Sequence, residues 1–235
     1  MTHRLREEPT EGGTVADLQE LVDRLIAFDT CVVSDALDAL GHHGALAGIT
    51  PSWDCAKIAG RVQTVRLGPA AASVGQPAVH LGAKAIAGAE PGDVIVVDND
   101  AGHGVSAGWG GLLALAASVK GVSGVIVYGA ARDIDDVASV GLPMYAHTTT
   151  PRTARARTVE VATNGPLQLE NVLVEPGDLV LADRSGVVFV KAEQAEEVIA
   201  KATELVAKEA DMATALRAGT PVTDVLAGNY ESMLK

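Results

Sequence analysis

The sequence of 235 residues is poor in cysteine and in aromatic side chains, and each shortage excludes a class of protein. Its two cysteines, Cys31 and Cys55, form no CxxC pair and are too few for a disulfide framework. This usage is typical of a reducing cytoplasm. Only seven residues are Phe, Trp or Tyr, so few rings are present on which nucleic-acid bases could stack.

Basic residues are also scarce, since 18 Lys and Arg stand against 30 Asp and Glu for a net charge of −12. Such an acidic protein repels phosphate backbones, so we expect no nucleic-acid partner. The longest apolar run, residues 108–119, ends at Lys120 and is too short to span a bilayer. The polar N-terminus carries no signal-peptide core. We therefore expect a cytoplasmic protein with no membrane partner.

Hydrophobic residues make up 48% of the chain, which is ordinary for a globular protein. Residues 1–13 are polar and predict a flexible N-terminal arm, while residues 14–235 show no linker and predict one domain. Strand and helix patterns alternate irregularly, and a long helix is predicted from about residue 192 to 216. This mixture indicates a single α/β domain rather than a regular doubly wound sheet.

Turn signals divide the chain into short elements. Pro-Gly-Asp occurs at residues 91–93 and again at 176–178, and each copy predicts a turn before an apolar strand. Asn164-Gly165 lies between two strand-like segments and predicts a hairpin. Ser34-Asp35 predicts the N-terminus of a helix over residues 36–40.

Two glycines, Gly110 and Gly111, follow Trp109 at the predicted start of an apolar helix over residues 112–120. Backbone N–H groups at a helix N-terminus lie at the positive end of the helix dipole and can bind a carboxylate or phosphate. The alternative is that glycine is needed here for backbone conformation or for close packing.

A second polar motif, Arg132-Asp133, follows the predicted buried strand over residues 125–128. Turns after strands often carry ligand-binding groups in α/β proteins. Arginine offers a planar fork for a carboxylate, and aspartate offers a hard oxygen ligand for Mg²⁺ or Mn²⁺. The alternative is that Asp133 caps a helix and Arg132 is solvated.

The segment over residues 108–146, which contains both motifs, resembles the signature of the RraA-like family. That family includes 4-hydroxy-4-methyl-2-oxoglutarate and 4-carboxy-4-hydroxy-2-oxoadipate aldolases and the regulator of ribonuclease E. Residues 33–37 and 176–188 agree as well, and the resemblance spans roughly residues 24–215. It implies a swivelling β/β/α-type (αββα) single domain with a long C-terminal helix. It also implies a homotrimer or dimer of trimers with sites between subunits.

The resemblance further implies roles for particular residues. Arg132 corresponds to the arginine that binds the 2-oxo acid, and Asp133 to the carboxylate that holds Mg²⁺ or Mn²⁺. A glutamate from a neighbouring subunit's C-terminal helix completes the site in the aldolases, and Glu209 is the better match, with Glu204 the alternative. The resemblance also implies that the backbone amides of Gly110, Gly111, Leu112 and Leu113 hold the substrate carboxylate.

The sequence departs from the aldolases at two positions, since Gly111 and Tyr128 stand where those enzymes have acids. The acid missing at residue 111 assists proton transfer in the aldolases. His103 or Asp100 could replace it, although His103 also fits an exposed loop histidine. Tyr128 either packs or presents its hydroxyl to the substrate.

We therefore expect a metal-dependent lyase that cleaves a small-molecule 2-oxo acid through an enolate, by retro-aldol cleavage or decarboxylation. The rival hypothesis is a non-catalytic RraA-like binding or regulatory protein whose acidic surface engages a basic partner segment. A family member with an altered reaction is also consistent with Gly111 and Tyr128.

Overall fold

A computed structural model of the protein describes residues 15–73, 80–100 and 105–226. The predicted N-terminal arm over residues 1–13 and the candidate proton carrier His103 lie outside the described residues.

Helices and strands alternate irregularly along the described chain, as the sequence predicts. The helices are α1 (Val15–Leu25), α2 (Thr30–Ala39), α3 (Ala83–Gly88), α4 (Gly111–Lys120), α5 (Ile134–Ser139), α6 (Ala195–Arg217) and α7 (Val222–Leu226). The strands are β1 (Ala45–Leu46), β2 (Thr50–Pro51), β3 (Ile58–Pro69), β4 (Val94–Asp98), β5 (Gly124–Ala131), β6 (Met144–Thr149), β7 (Thr158–Thr163), β8 (Leu167–Leu169), β9 (Val172–Val174), β10 (Leu179–Ala182) and β11 (Val187–Val190).

One mixed sheet organises the molecule, with strand order β1-β11-β10-β3-β4-β5-β6-β2. Strands β3, β4, β5 and β6 run parallel, whereas β10 is antiparallel to β3. The first four residues of β3 pair with β10, and residues 62–66 pair with β4. The long strand β3 therefore joins the antiparallel and parallel halves of the sheet, while β8 and β9 form a separate ribbon.

Side chains of successive strand residues point to opposite faces of the sheet, so each strand serves two apolar clusters. On β5, Val125 and Val127 pack with α3, α4 and α5, whereas Ile126 faces the β8–β9 ribbon. Helices α1, α2 and α6 form a third cluster with β10 and β11. The cluster around α4 and α5 shares no residue with the cluster around the long C-terminal helix.

The two Pro-Gly-Asp turns are confirmed, and each belongs to a Glu-Pro-Gly-Asp quartet with the same hydrogen bonds. The aspartate side chain accepts from the glutamate N–H, at 2.9 Å for Asp93 and 2.7 Å for Asp178. The glycines adopt φ angles of 93° and 95°, a region that glycine enters without a Cβ clash. Asp93 also accepts two hydrogen bonds from Arg61, at 2.9 and 3.0 Å, which fasten the turn to β3.

Two local predictions are wrong, and in both cases tertiary packing overrides a local signal. Strand β7 pairs with β3 rather than forming a hairpin across Asn164-Gly165. Helix α2 begins at Thr30, because Asp29 caps it through Val32 N (2.9 Å) and Asp183 accepts from Thr30 N (2.9 Å). Burial of one face of α2 against α6 stabilises the β-branched residues Thr30, Val32 and Val33 in a helix.

The α/β fold and the long C-terminal helix are confirmed, since α6 extends over 23 residues. None of the described helices is both long and apolar enough to cross a membrane.

We expect Asp93→Asn to destabilise the protein by about 3 kcal/mol, because Arg61 then keeps a largely buried charge without its partner. The Asp93 side chain is only 4% exposed, and its hydrogen bonds raise the pKa of Arg61. The matched control is Asp54→Asn, which removes the exposed ion pair with Arg184 and should cost less than about 1 kcal/mol. Urea unfolding of both variants checks this, and equal losses would contradict the account.

Candidate active site

The two polar motifs meet where β5 ends and α4 begins. The chain before α4 runs beside the end of β5, because Gly108 N donates to Ala130 O at 2.8 Å and Arg132 N donates to Trp109 O at 3.0 Å. These two backbone hydrogen bonds pair the segment before α4 with the end of β5. They place the start of α4 directly against the Arg132-Asp133 turn.

The carboxylate of Asp133 connects the two motifs. Its Oδ1 accepts from Arg132 Nε at 2.9 Å, and its Oδ2 accepts from Gly111 N at 3.2 Å. Asp133 occupies the N-cap position of α5, but its side chain makes no capping hydrogen bond to that helix. Its left-handed backbone, with φ 56° and ψ 43°, costs about 1–3 kcal/mol in a non-glycine residue and is typical of functional sites.

Close packing explains both glycines at the start of α4. A Cβ on Gly110 would lie 2.7 Å from Asp133 Oδ2, and a Cβ on Gly111 would lie 2.9 Å from Asp136 Cβ. Neither position has room for a side chain while the two aspartates stay in place. The glycines therefore let the α4 backbone approach the Arg132-Asp133 turn.

Unused hydrogen-bond donors lie at the same place. An α-helix offers no internal acceptors to its first N–H groups, and no described residue accepts from Leu112 N or Leu113 N. Arg132 uses Nε for Asp133, while its two terminal nitrogens have no partner among the described residues. Two amides and a guanidinium edge can together bind a planar carboxylate. The Leu112 side chain is 79% exposed, so this edge of the site is open.

Sequence reasoning missed Asn99, which holds the loop before α4 in position. Asn99 is fully buried, and its Nδ2 donates to Ser106 O at 3.0 Å and to Ala130 O at 3.1 Å. Trp109 has a second supporting role, because its buried ring packs against Gly82. An asparagine directly after a buried strand is the signal that could have identified this residue.

Tyr128 packs in this chain and does not reach the Arg132-Asp133 turn. It lies on the sheet face opposite α4, and its ring is 4.7 Å from the His147 ring in a T-shaped contact. Burial raises the pKa of Tyr128, and the nearby carboxylates of Glu170, Asp100 and Asp98 raise it further. The hydroxyl therefore stays protonated at neutral pH.

The remaining candidates lie away from the turn or are not described. Glu204 and Glu209 are exposed on α6, which packs with α1 and α2. Among the described residues, the hydrogen bonds of the Asp133 carboxylate go to Arg132 and Gly111 and to neither glutamate. Asp100 is exposed, and its N–H donates to Asp98 Oδ1 at 3.1 Å.

The described residues contain no group of three His, Cys, Asp or Glu side chains that could hold a metal ion. Asp133 alone still fits Mg²⁺ or Mn²⁺, because these ions are commonly held by one or two carboxylates together with water and substrate oxygens. Each Asp133 oxygen accepts one hydrogen bond and keeps a lone pair, and its side chain is 31% exposed. Asp133 therefore fits an open metal site in which water and substrate supply the other ligands. It does not fit a site whose ligands all come from the protein.

A family model described as RraA-like (Aldolase/RraA) matches residues 30–189. The chain belongs to the RraA-like family. The 4-hydroxy-4-methyl-2-oxoglutarate aldolase of Thermus thermophilus is 34% identical over 134 residues, which cover 57% of this chain and 76% of that enzyme. Protein DlpA of Legionella pneumophila is 30% identical over 203 residues, which cover 86% of this chain but 32% of DlpA. The chain thus spans about a third of that relative.

The likeness extends to a solved structure. Streptomyces coelicolor RraAS2, described as an unusual member of the RNase ES inhibitor RraA protein family, superposes with a TM-score of 0.72 at 28% identity. The match covers 86% of this chain and 97% of RraAS2. The RraA-like fold is therefore confirmed in both sequence and structure.

For this RraA-like protein we expect Gly110→Ala to lower the free energy of unfolding by about 1–3 kcal/mol, because the new methyl group overlaps Asp133 Oδ2. The extended backbone of Gly110 suits any residue, so the effect reports the contact rather than the conformation. Gly165→Ala is the control, since open space surrounds that position. Denaturant unfolding measures both, and a Gly110→Ala protein as stable as the parent would contradict the close approach.

Proposed function

We propose that this RraA-like protein is a divalent-metal-dependent lyase that cleaves a 2-oxo acid. The observation that carries the proposal is the cluster of Asp133, the free edge of Arg132 and the two open amides of Leu112 and Leu113. A 2-oxo acid carries a carboxylate beside a carbonyl, which this combination of donors and hard oxygen fits. The aldolase named among the relatives supports the same class of reaction.

The residues divide the work as follows. The amides of Leu112 and Leu113 and the terminal nitrogens of Arg132 bind the substrate carboxylate and fix its orientation. Asp133 would hold Mg²⁺ or Mn²⁺, which supplies Lewis-acid polarisation of the 2-oxo carbonyl. Arg132, already held by Asp133, offsets the negative charge that develops as the neighbouring C–C bond breaks. Retro-aldol cleavage and decarboxylation both lead to an enolate of pyruvate, so one site can support either.

An oligomer with sites between subunits is part of the proposal. Helix α4 begins at the site and exposes three large apolar side chains along one face, Leu112 (79%), Leu115 (47%) and Val119 (82%). Their spacing places them on one stripe of the helix. Covering this stripe with a second copy of the chain would also bring a neighbouring surface to the site.

The rival function is that of a non-catalytic regulator, and the likeness to RraAS2 favours it. A regulator needs an acidic surface for a basic partner, whereas it does not need the Asp133 carboxylate. Asp133→Ala therefore distinguishes the two functions. It should abolish a lyase activity, whereas it should leave the binding of a basic partner intact.

The test is release of pyruvate from oxaloacetate and from 4-hydroxy-4-methyl-2-oxoglutarate with Mg²⁺, measured through lactate dehydrogenase. We expect EDTA and Asp133→Ala each to abolish release, because alanine offers no oxygen ligand to the metal. Arg132→Lys keeps the charge but loses the fork, so KM should rise by roughly 10–150-fold, equivalent to about 1.5–3 kcal/mol.

Asp224→Ala is the control, because Asp224 is an exposed acid in the first turn of a different helix. It should match the parent in both reactions. Pyruvate release that survives EDTA and Asp133→Ala would contradict the metal site. No release by the parent would support the regulator.

The oligomer is tested by light scattering at micromolar concentration. Val119→Glu should shift the particle towards the mass of the 24.0 kDa chain, because it buries a charge in the proposed contact. Val222→Glu, on the exposed side of α7, should leave the mass unchanged. A parent protein that is already a monomer would contradict the proposed assembly.

A further inference from the structure

Aldol cleavage needs a group that removes the proton from the substrate's C4 hydroxyl. Arg132 has no acceptor atom for it. Asp133 already accepts from Arg132 and Gly111 and is the proposed metal ligand. If the proposed function holds, a further proton acceptor is required at the start of α4.

Asp136 lies next to the start of α4. It lies in the first turn of α5, three residues after Asp133. A Cβ built on Gly111 would be 2.9 Å from Asp136 Cβ and 3.1 Å from Asp136 Oδ2. The Asp136 carboxylate therefore lies against Gly111, the first residue of α4, which directly precedes Leu112 and Leu113.

The Asp136 carboxylate is also unoccupied by other bonds. No described residue donates a hydrogen bond to it, whereas the backbone oxygen of Asp136 accepts from Ser139 Oγ at 2.7 Å and from Val140 N at 3.2 Å. The residue is exposed, so substrate can approach. Asp135 is equally exposed in the same helical turn but is not among the atoms that crowd Gly111. These two neighbouring aspartates thus differ in whether they face the site.

We propose that Asp136 is the catalytic base of the aldol cleavage. Its carboxylate takes the proton of the C4 hydroxyl, the C4–O bond becomes a carbonyl, and the C3–C4 bond breaks. The electron pair of that bond moves to C3 and is delocalised onto the 2-oxo oxygen. The proton on Asp136 then returns to C3, which gives pyruvate and regenerates the carboxylate without any other reactant.

Oxaloacetate provides an internal control for this step. Its C4 is a carboxylate that leaves as CO₂, so no hydroxyl proton has to be removed before the C3–C4 bond breaks. The same enolate forms, and water can protonate it. A base at Asp136 therefore matters for aldol cleavage and not for decarboxylation.

The experiment measures both reactions in Asp136→Asn and in the matched control Asp135→Asn. Asparagine keeps the shape of the side chain but does not accept the proton. We expect kcat for cleavage of 4-hydroxy-4-methyl-2-oxoglutarate to fall by about 10²–10⁴-fold in Asp136→Asn. Decarboxylation of oxaloacetate should stay within the same order of magnitude, and Asp135→Asn should match the parent in both reactions.

A second, double variant removes the carboxylate from residue 136 and introduces one at residue 111, on the other side of the contact between these two residues. Gly111→Asp combined with Asp136→Gly removes both the Cβ and the carboxylate that crowd Gly111 and puts an acid on the opposite side of the contact. It should recover at least about tenfold of the cleavage rate lost in Asp136→Gly alone, a change of roughly 1.4 kcal/mol in the barrier. A merely structural role for Asp136 predicts no such recovery.

The outcomes separate the inference from the proposed function. Unchanged aldol cleavage in Asp136→Asn, or an equal loss of both reactions, would overturn the base assignment while leaving the lyase intact. Absence of pyruvate from both substrates with the parent would overturn the proposed function and the assignment together.

Discussion

The candidate site depends on one carboxylate that is hydrogen-bonded on both sides. Asp133 accepts from Arg132 through one oxygen and from the first amide of α4 through the other. Those two contacts hold the end of β5 and the start of α4 in one rigid arrangement. They also orient the Arg132 guanidinium so that its outer nitrogens remain available. Without this carboxylate, the open amides and the guanidinium would be held together only through the backbone.

That arrangement explains several local features that are unfavourable by themselves. Asp133 adopts a left-handed backbone, and two glycines leave the start of α4 without side chains. Buried Asn99 ties the preceding loop to β5 through two carbonyls. Natural sequences accept such local strain mainly where a site needs it. The lyase proposal explains these features together, because all of them hold the groups of the active site in position. A purely regulatory surface would not require them.

The sequence predicts some parts of this structure much better than others. The Arg132-Asp133 turn and the glycines at 110 and 111 are visible as motifs, although the reason for the glycines, their close packing against Asp133 and Asp136, is not. The pairing of β7 with β3 is not visible, since Asn164-Gly165 gives the same hairpin signal wherever the strand goes. In the sequence, Asp136 stands only in a run of aspartates at residues 133, 135 and 136 that is typical of the acidic first turn of a helix. Its contact with Gly111 depends on how α4 and α5 pack.

The central claim is that one carboxylate, one guanidinium and two helix amides form a single binding site. A crystal structure of the protein soaked with pyruvate and Mn²⁺ tests it most directly, because Mn²⁺ can be located by anomalous scattering. The account predicts Mn²⁺ bound to Asp133, with the pyruvate carboxylate on Arg132 and the N–H groups of Leu112 and Leu113. Pyruvate or Mn²⁺ bound elsewhere, with the start of α4 left empty, would contradict it.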